Sequence, residues 1–322
     1  MIDVHVHLLG NGLSGSGCWF RTPWWQTPFL QAMVRDAGIK ISYQHRDFDA
    51  LYVAQLRRWL DQSSLGAVVL LACDEVYTVD GTRRTDLTAL FVPDDYVFEV
   101  CASDPRFLAG ISLHPARPGA ISELERQVER GAVLLKLLPC VQMVDPNDRR
   151  YLRFWERMAE LGLPLLAHTG GEFTLPNHRP DLQTPACLTL PLECGVKVIA
   201  AHCGTRALPW GRDYFAVFRR MQARYPNLYG DLSALSQLTH LGTLAQLRKE
   251  PTRILHGTDY PVVTGVFWSH LRGWFDRRTL RQVQAERNPL ERKVKLTRAL
   301  GFPETVFREA WNVLRRAGNG QG

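Results

Sequence analysis

A handful of polar side chains in this 322-residue chain have the types and placement for metal chemistry. His5-Val6-His7 sets two imidazoles two residues apart. On a β-strand, positions i and i+2 project to the same face, and two neutral imidazoles from one rigid strand make half of a tetrahedral metal site. Alone, such a pair is a weak signal, and company strengthens it. His168 ends the run Leu163-Pro164-Leu165-Leu166-Ala167, His202 ends Val198-Ile199-Ala200-Ala201, and Asp259 follows Ile254-Leu255-His256-Gly257-Thr258. Each directly follows an apolar run and precedes the Gly, Thr or Tyr-Pro residues of a loop. Lys136 sits inside a further apolar run, Leu134-Leu135-Lys136-Leu137-Leu138.

The elements that must position these groups are legible as a series. Short runs rich in Val, Ile and Leu recur at 2–8, 67–72, 108–113, 133–138, 164–167, 196–201, 228–231 and 253–256. They are too short for helices, and their near-continuous apolarity is that of strands buried on both faces. Amphipathic helical stretches lie between them at 47–63, 122–130, 148–161, 184–194, 214–225 and 234–249. Strands alternating with helices predict a (β/α)8 TIM barrel, an α/β fold whose catalytic groups stand at the C-terminal strand ends. An open doubly wound sheet is the alternative; its dinucleotide-binding form is disfavoured because no GxGxxG follows the first strand. Two segments exceed the barrel: a long loop insertion after strand one, at 10–46, carrying Trp19, Phe20, Trp24 and Trp25, and extra C-terminal helices at 288–300 and 304–315. The insertion is expected to wall the pocket or to lie in an oligomer contact. One domain over 1–317 is expected, with 318–322 a disordered tail.

With the elements in place, the set His5-Val-His7, His168-Thr-Gly-Gly, His202-Cys-Gly-Thr and Gly257-Thr-Asp259-Tyr-Pro resembles the amidohydrolase superfamily of metal-dependent hydrolases. The closest likeness is to the branch that includes aminocarboxymuconate semialdehyde decarboxylase-like proteins, over roughly residues 1–315. The resemblance implies that His5, His7, His168 and Asp259 hold a divalent ion. Zinc is the expected metal, with manganese or another divalent ion as alternatives, and one ion is expected rather than two. It further implies that Asp259 takes the proton from the attacking water and returns it to the leaving group, while His202 polarises the scissile carbonyl. Two-metal relatives of the dihydroorotase and phosphotriesterase types carry a carboxylated lysine where Lys136 stands; Lys136 and His202 are therefore candidates for a bridging or second-metal role. The favoured reading keeps Lys136 an ammonium that serves substrate or a local network.

Three residues are expected to contact substrate: Arg206 past His202, His114 in Ser112-Leu-His-Pro, and Glu172 in the loop after strand five. Asp231 is read as orienting a ligand or bonding a loop, His256 as a core residue, and His45, His178, His240 and His270 as ordinary surface or loop positions. The expected reaction is hydrolysis of an ester, lactone or amide bond in a small, anionic organic molecule. Non-oxidative decarboxylation of an aromatic or enoic acid is the alternative, and a catalytically inactive barrel that only binds is the third reading.

Composition narrows the classes. Hydrophobic residues make up 45% and charged residues 22%, which is globular rather than disordered. The net charge of +7 is spread along helices with no nucleic-acid-reading module, so no nucleic-acid partner is expected. No apolar run reaches the length of a membrane span. The seven cysteines form no CxxC pair and read as reduced thiols, which with the absence of a leader pattern makes the cytoplasm the expected compartment. A small-molecule substrate and a homodimer complete the expectations.

Overall fold

A computed structural model of the protein describes residues 1–21 and 24–315, leaving the side chain of Trp25 aside; the expected tail at 318–322 lies outside the described residues. Eight parallel strands form one sheet in chain order: Ile2–His7, Ala67–Leu71, Phe107–Ile111, Leu134–Leu137, Leu165–His168, Val198–Ala201, Leu228–Asp231 and Ile254–Leu255. The ring is completed through the segment that follows the eighth strand. Val4 N donates to His256 O, Asp259 N to His5 O and His7 N to Tyr260 O, at 3.2, 2.9 and 2.8 Å. The fold is the expected (β/α)8 barrel, and every predicted strand is found within two residues of its expected bounds.

Alternation along the strands divides the core into two layers. Val69, Leu71, Leu134, Leu166, Ile199 and Leu255 belong to the cluster that fills the barrel. Their neighbours Val68, Leu70, Leu135, Leu165 and Val198 belong to the larger cluster under the helices. Lys136 and His168 follow Leu134 and Leu166 by two residues, so the pleat carries them inward at the C-terminal rim. The first strand needs a different device. Ile2 and Val4 lie in the inner cluster but Val6 in the outer one, and pairing with the second strand shifts register between Asp3 and Val6. This bulge changes the parity of the strand, so that His5 and His7 face inward as Ile2 and Val4 do below them.

The helices cover the outside. Phe48–Asp61, Ala120–Glu129, Leu152–Glu160, Phe215–Arg224 and Pro289–Ala299 match predicted stretches. The helix expected over 234–249 begins only at Leu241, because the chain first turns through Ala234 at φ 53° and a short 3-10 turn at Leu238–His240. Arg277–Ala285 falls in the stretch past the last strand, 265–317, that was expected to be helical, whereas Asp94–Ala102 and Thr27–Asp36 were not anticipated. The last of these lies in the insertion, whose Trp19–Phe20 pairs antiparallel with Leu90–Phe91. Asp49 at the start of Phe48–Asp61 accepts Asn11 N at 2.7 Å and Gly12 N at 3.3 Å, tying the insertion down beside the first strand. At the opposite end of the barrel, Ala310 and Val313 of the last helix join the inner cluster, and Arg315 N donates to Val133 O at 3.0 Å. This C-terminal segment plugs the barrel floor. Among the described residues no helix is long and apolar enough to cross a membrane.

Candidate metal centre and active site

At the C-terminal rim, three potential ligand atoms converge. His5 Nε2 and His7 Nε2 stand 3.2 Å apart, and Asp259 Oδ1 lies 3.1 Å from the first and 3.2 Å from the second. Ligand atoms at 2.0–2.1 Å from a tetrahedral zinc are separated by roughly 3.3 Å, so this spacing fits a divalent ion. The protonation states fit as well. His5 Nδ1 donates to Asp231 Oδ2 at 2.8 Å, leaving the Nε2 lone pair to face the centre. Burial, reinforced by the Lys136 ammonium, brings the His5 imidazole down to about 4, and burial also lowers His7. Asp259 is held well below the usual carboxylate range: burial opposes ionisation, but the facing His5 and the hydrogen bond from His7 outweigh it.

His168 comes from the end of the fifth strand, and its buried Nε2 has no hydrogen-bond partner among the described residues. Burial, followed by the neighbouring His202, drives its imidazole well below its ordinary value. An unpartnered buried nitrogen is costly unless something binds it. Yet His168 stands outside the tight set formed by His5, His7 and Asp259; its ring centroid lies 4.9 Å from that of His202, and its Nε2 lies 3.6 Å from Glu172 Oε2.

His202 and Asp259 share a local peculiarity. Both are non-glycine residues with positive φ, 60° and 64°. This sparsely populated conformation lets a residue just past a strand turn its side chain back over the mouth. His202 is fixed by its partners: its backbone N donates to Asp231 Oδ1 at 2.9 Å, and its Nδ1 lies 2.9 Å from Ser233 Oγ and 3.1 Å from Ser233 O. Because the Ser233 hydroxyl donates to Asp231 Oδ1, Nδ1 carries the proton toward Ser233. The neutral ring then presents a bare Nε2, whereas the imidazolium presents an N–H to a carbonyl oxygen.

Asp231 thus ties together two groups of the site through its two oxygens, the orienting option of the sequence reading. Asp3 was missed: its Oδ1 accepts His5 N at 3.0 Å and Thr258 N at 3.1 Å, joining the bulged first strand to the segment that carries Asp259. Its only sequence signal was an acidic residue inside an apolar run. Lys136 is fully buried, with Nζ 3.0 Å from His5 Nε2. Burial lowers its ammonium, against the pull of Asp259 and Asp231.

The substrate-facing expectations divide. Glu172 lines the cavity of about 380 Å³ that opens beside His168, His202 and Asp259, and also a smaller adjoining one of about 80 Å³ that reaches Lys136. Gly170 and Gly171 bring its loop against the sixth-strand loop, where a Cβ on Gly170 would stand 2.2 Å from Thr205 O. Arg206 does not line either cavity; its Nη1 donates to Pro209 O at 3.3 Å and its Nε lies 4.0 Å from Asp213. Its neighbours Thr205, Ala207 and Leu208 line the larger cavity, and only the Arg206 side chain projects to the other side of the loop. His114 is also displaced from the substrate position expected of it. Its Nε2 donates to Gln142 O at 3.1 Å and its Nδ1 accepts Ala116 N at 3.1 Å, so both ring nitrogens serve the loop. His240, read as an ordinary surface or loop residue, lies in the loop turn at Leu238–His240 but is buried against the cavity, with Nδ1 accepting Ser236 N and Gln237 N, both at 3.2 Å. His256 is in the core as expected, its ring 4.7 Å from Phe307.

A barrel with this histidine and aspartate rim is the architecture of metal-dependent hydrolases and decarboxylases. A family profile described as Amidohydrolase matches residues 2–295, and the chain belongs to the amidohydrolase family. No curated protein sequence matches it significantly. Among solved structures it is similar to an uncharacterised TIM-barrel protein from Bordetella bronchiseptica, at 14% identity and a TM-score of 0.57, covering 94% of this chain and 100% of that one. It is also similar to a probable 2-pyrone-4,6-dicarboxylic acid hydrolase from Acinetobacter baumannii with citric acid bound, at 13% identity and a TM-score of 0.51, covering 94% and 99%. At such identities the likeness is one of fold.

Proposed function

We propose that the protein is a hydrolase of an ester, lactone or amide bond in a small organic molecule, with one divalent ion held by His5, His7, His168 and Asp259. The observation that carries this reading is the convergence of His5 Nε2, His7 Nε2 and Asp259 Oδ1 within 3.2 Å of one another. Zinc is the expected ion. When bound, such an ion polarises a carbonyl and makes a water nucleophile accessible near neutral pH.

The chain's own groups do the rest. Asp259 is ionised and takes the proton of the attacking water, then returns it to the leaving oxygen or nitrogen. His202, backed by Ser233 and Asp231, donates from Nε2 in its imidazolium form to the carbonyl oxygen as negative charge develops there. Asp231 and Asp3 hold these groups in register. Lys136 completes the inner wall, its Nζ 3.0 Å from His5 Nε2 and in the field of Asp259 and Asp231.

Decarboxylation of a bound acid would call for a cation fixed on the substrate carboxylate. Arg206, the candidate for that clamp, points away from the cavity, and this favours hydrolysis. Elemental analysis of the wild type beside His5→Ala and Lys136→Ala tests the centre. About one zinc per chain, lost in His5→Ala and kept in Lys136→Ala, is expected. A second metal that disappears with Lys136 would replace the single-ion reading by a bridged pair, and no metal after reconstitution would end it. Carbon dioxide release from aromatic acids without turnover of any ester, lactone or amide would move the reaction to decarboxylation.

A further inference from the structure

The cavity walls speak to the substrate. Outside the catalytic groups the larger cavity takes its apolar wall mainly from Phe29, Phe173, Leu208, Leu235, Val262 and Val263, with Thr174, Thr205, Gln237 and His240 as its uncharged polar lining. Phe29 and Phe173 meet edge to face at 5.7 Å, and Gln26 Nε2 donates to Phe173 O at 3.3 Å, so the insertion itself builds part of this wall. Among the described residues, no arginine or lysine lines it. Lys136, the cation of the smaller cavity, is spent on the inner wall beside His5. Besides Asp259, the acidic group of the outer cavity is Glu172, whose side chain is only 8% exposed. Its Oε1 already accepts Thr174 N at 2.6 Å and Leu175 N at 2.9 Å, which fixes the carboxyl and leaves Oε2 toward His168 and the cavity.

From this we infer that the substrate carries an uncharged apolar body, of the size of an aromatic ring or a short branched chain, and no carboxylate on that side of the scissile bond. The inference rests on the hydrolase reading of the same site and departs from the anionic substrate that composition and Arg206 suggested. A carboxylate on the substrate body, away from the metal centre, would lose its water, find no arginine or lysine on the wall to replace it, and meet Glu172 Oε2. A neutral body of that shape gains by burying its surface against the six apolar walls. Glu172 Oε2 adds a selective element as an acceptor for a hydrogen-bond donor, such as a hydroxyl or amide N–H near the reacting carbonyl.

Two matched probes separate the possibilities: butyrophenone and 3-benzoylpropionate, which differ in a methyl against a carboxylate. Binding of each to the zinc-supplemented protein is measured by titration calorimetry at neutral pH, with turnover of phenyl butanoate followed in parallel. Butyrophenone is expected to bind about tenfold or more tightly than 3-benzoylpropionate. In Glu172→Gln, whose amide oxygen can keep both backbone bonds, that gap narrows. In Leu208→Arg, at a half-buried position on the cavity wall, it reverses. Tighter binding of 3-benzoylpropionate by the wild type, or binding of neither probe at millimolar concentration, overturns the inference. An unchanged gap in both variants does the same. If the preference holds while phenyl butanoate is not turned over, the hydrolase reading falls and the assignment of the cavity to a neutral apolar ligand stands.

Discussion

Replacing Asp231 with asparagine removes one charge and almost no volume, yet it rearranges protons through the whole centre. Asp231 is fully buried; Oδ2 accepts from His5 Nδ1, and Oδ1 accepts from His202 N, Ser233 N and the Ser233 hydroxyl. In Asp231→Asn the new amide oxygen must stay on the side with three donors, so the NH₂ faces His5 Nδ1. His5 must then give up the Nδ1 proton and carry one on Nε2, pointing at His7 and Asp259, where the ligand lone pair is required. Loss of such a carboxylate behind a ligating histidine costs about 10–100-fold in metal affinity, or about 1.4–2.7 kcal/mol. The assay is competition of zinc against a chelator of known affinity, with melting of the metal-free protein measured in parallel so that a general loss of stability is not mistaken for a ligand effect. Ser233→Ala leaves the His5–Asp231 bond in place and should keep wild-type metal affinity while lowering kcat through His202. Unchanged zinc affinity in Asp231→Asn would refute the tautomer argument, and an equal loss in Ser233→Ala would show that the site fails by packing rather than by protonation.

Asp259→Asn should keep the fold and lower kcat by about 10²–10⁴-fold, as expected for loss of a general base; a steady-state assay on any accepted ester checks it. Lys293, buried in Pro289–Ala299, is lowered by burial from 10.5 to about 8, with Asp231, Asp259 and Asp3 pulling the other way. Between those values the unfolded chain binds more protons than the folded one, so stability rises with pH from about 8 to 10.5 and the penalty is fully present below 8. Lys293→Met should therefore raise stability at pH 7 by about 3 kcal/mol and flatten this alkaline rise; urea melts across that range decide it. Trp155, with no exposure and Nε1 donating to Pro146 O at 3.0 Å, packs in the outer core cluster and lines neither cavity. Trp155→Ala should cost about 3–5 kcal/mol of stability with activity per folded molecule unchanged, and a matching loss of specific activity in the folded fraction would contradict that separation.

The strands were legible because each is a short, doubly buried apolar run, a pattern that a closed barrel satisfies most economically and an open doubly wound sheet next. His5, His7, His168, His202 and Asp259 were legible for the same reason, each being a polar residue at or just past the end of such a run. Helices were read less well where their apolar faces are narrow or interrupted: Asp94–Ala102 begins after Pro93 with two acidic residues, and Ala234 breaks the stretch that ends as Leu241–Lys249. Arg206 and His114 were misplaced because distance along the chain from a strand end does not tell which way a loop side chain points.

Burial pattern and residue type are local properties written into each segment, and they were enough to specify the barrel, the polar residues at its rim and its family. What those residues face is settled only in the folded chain. The bulge between Asp3 and Val6 sets the side of the sheet from which His5 and His7 project. The positive φ of His202 and Asp259 turns them over the mouth. Asp231, 226 residues from His5, supplies the carboxylate behind it. The walls of the cavity come from the insertion and from the loops after the fifth to eighth strands. Each of these depends on contacts between segments far apart in the chain, which no local pattern encodes.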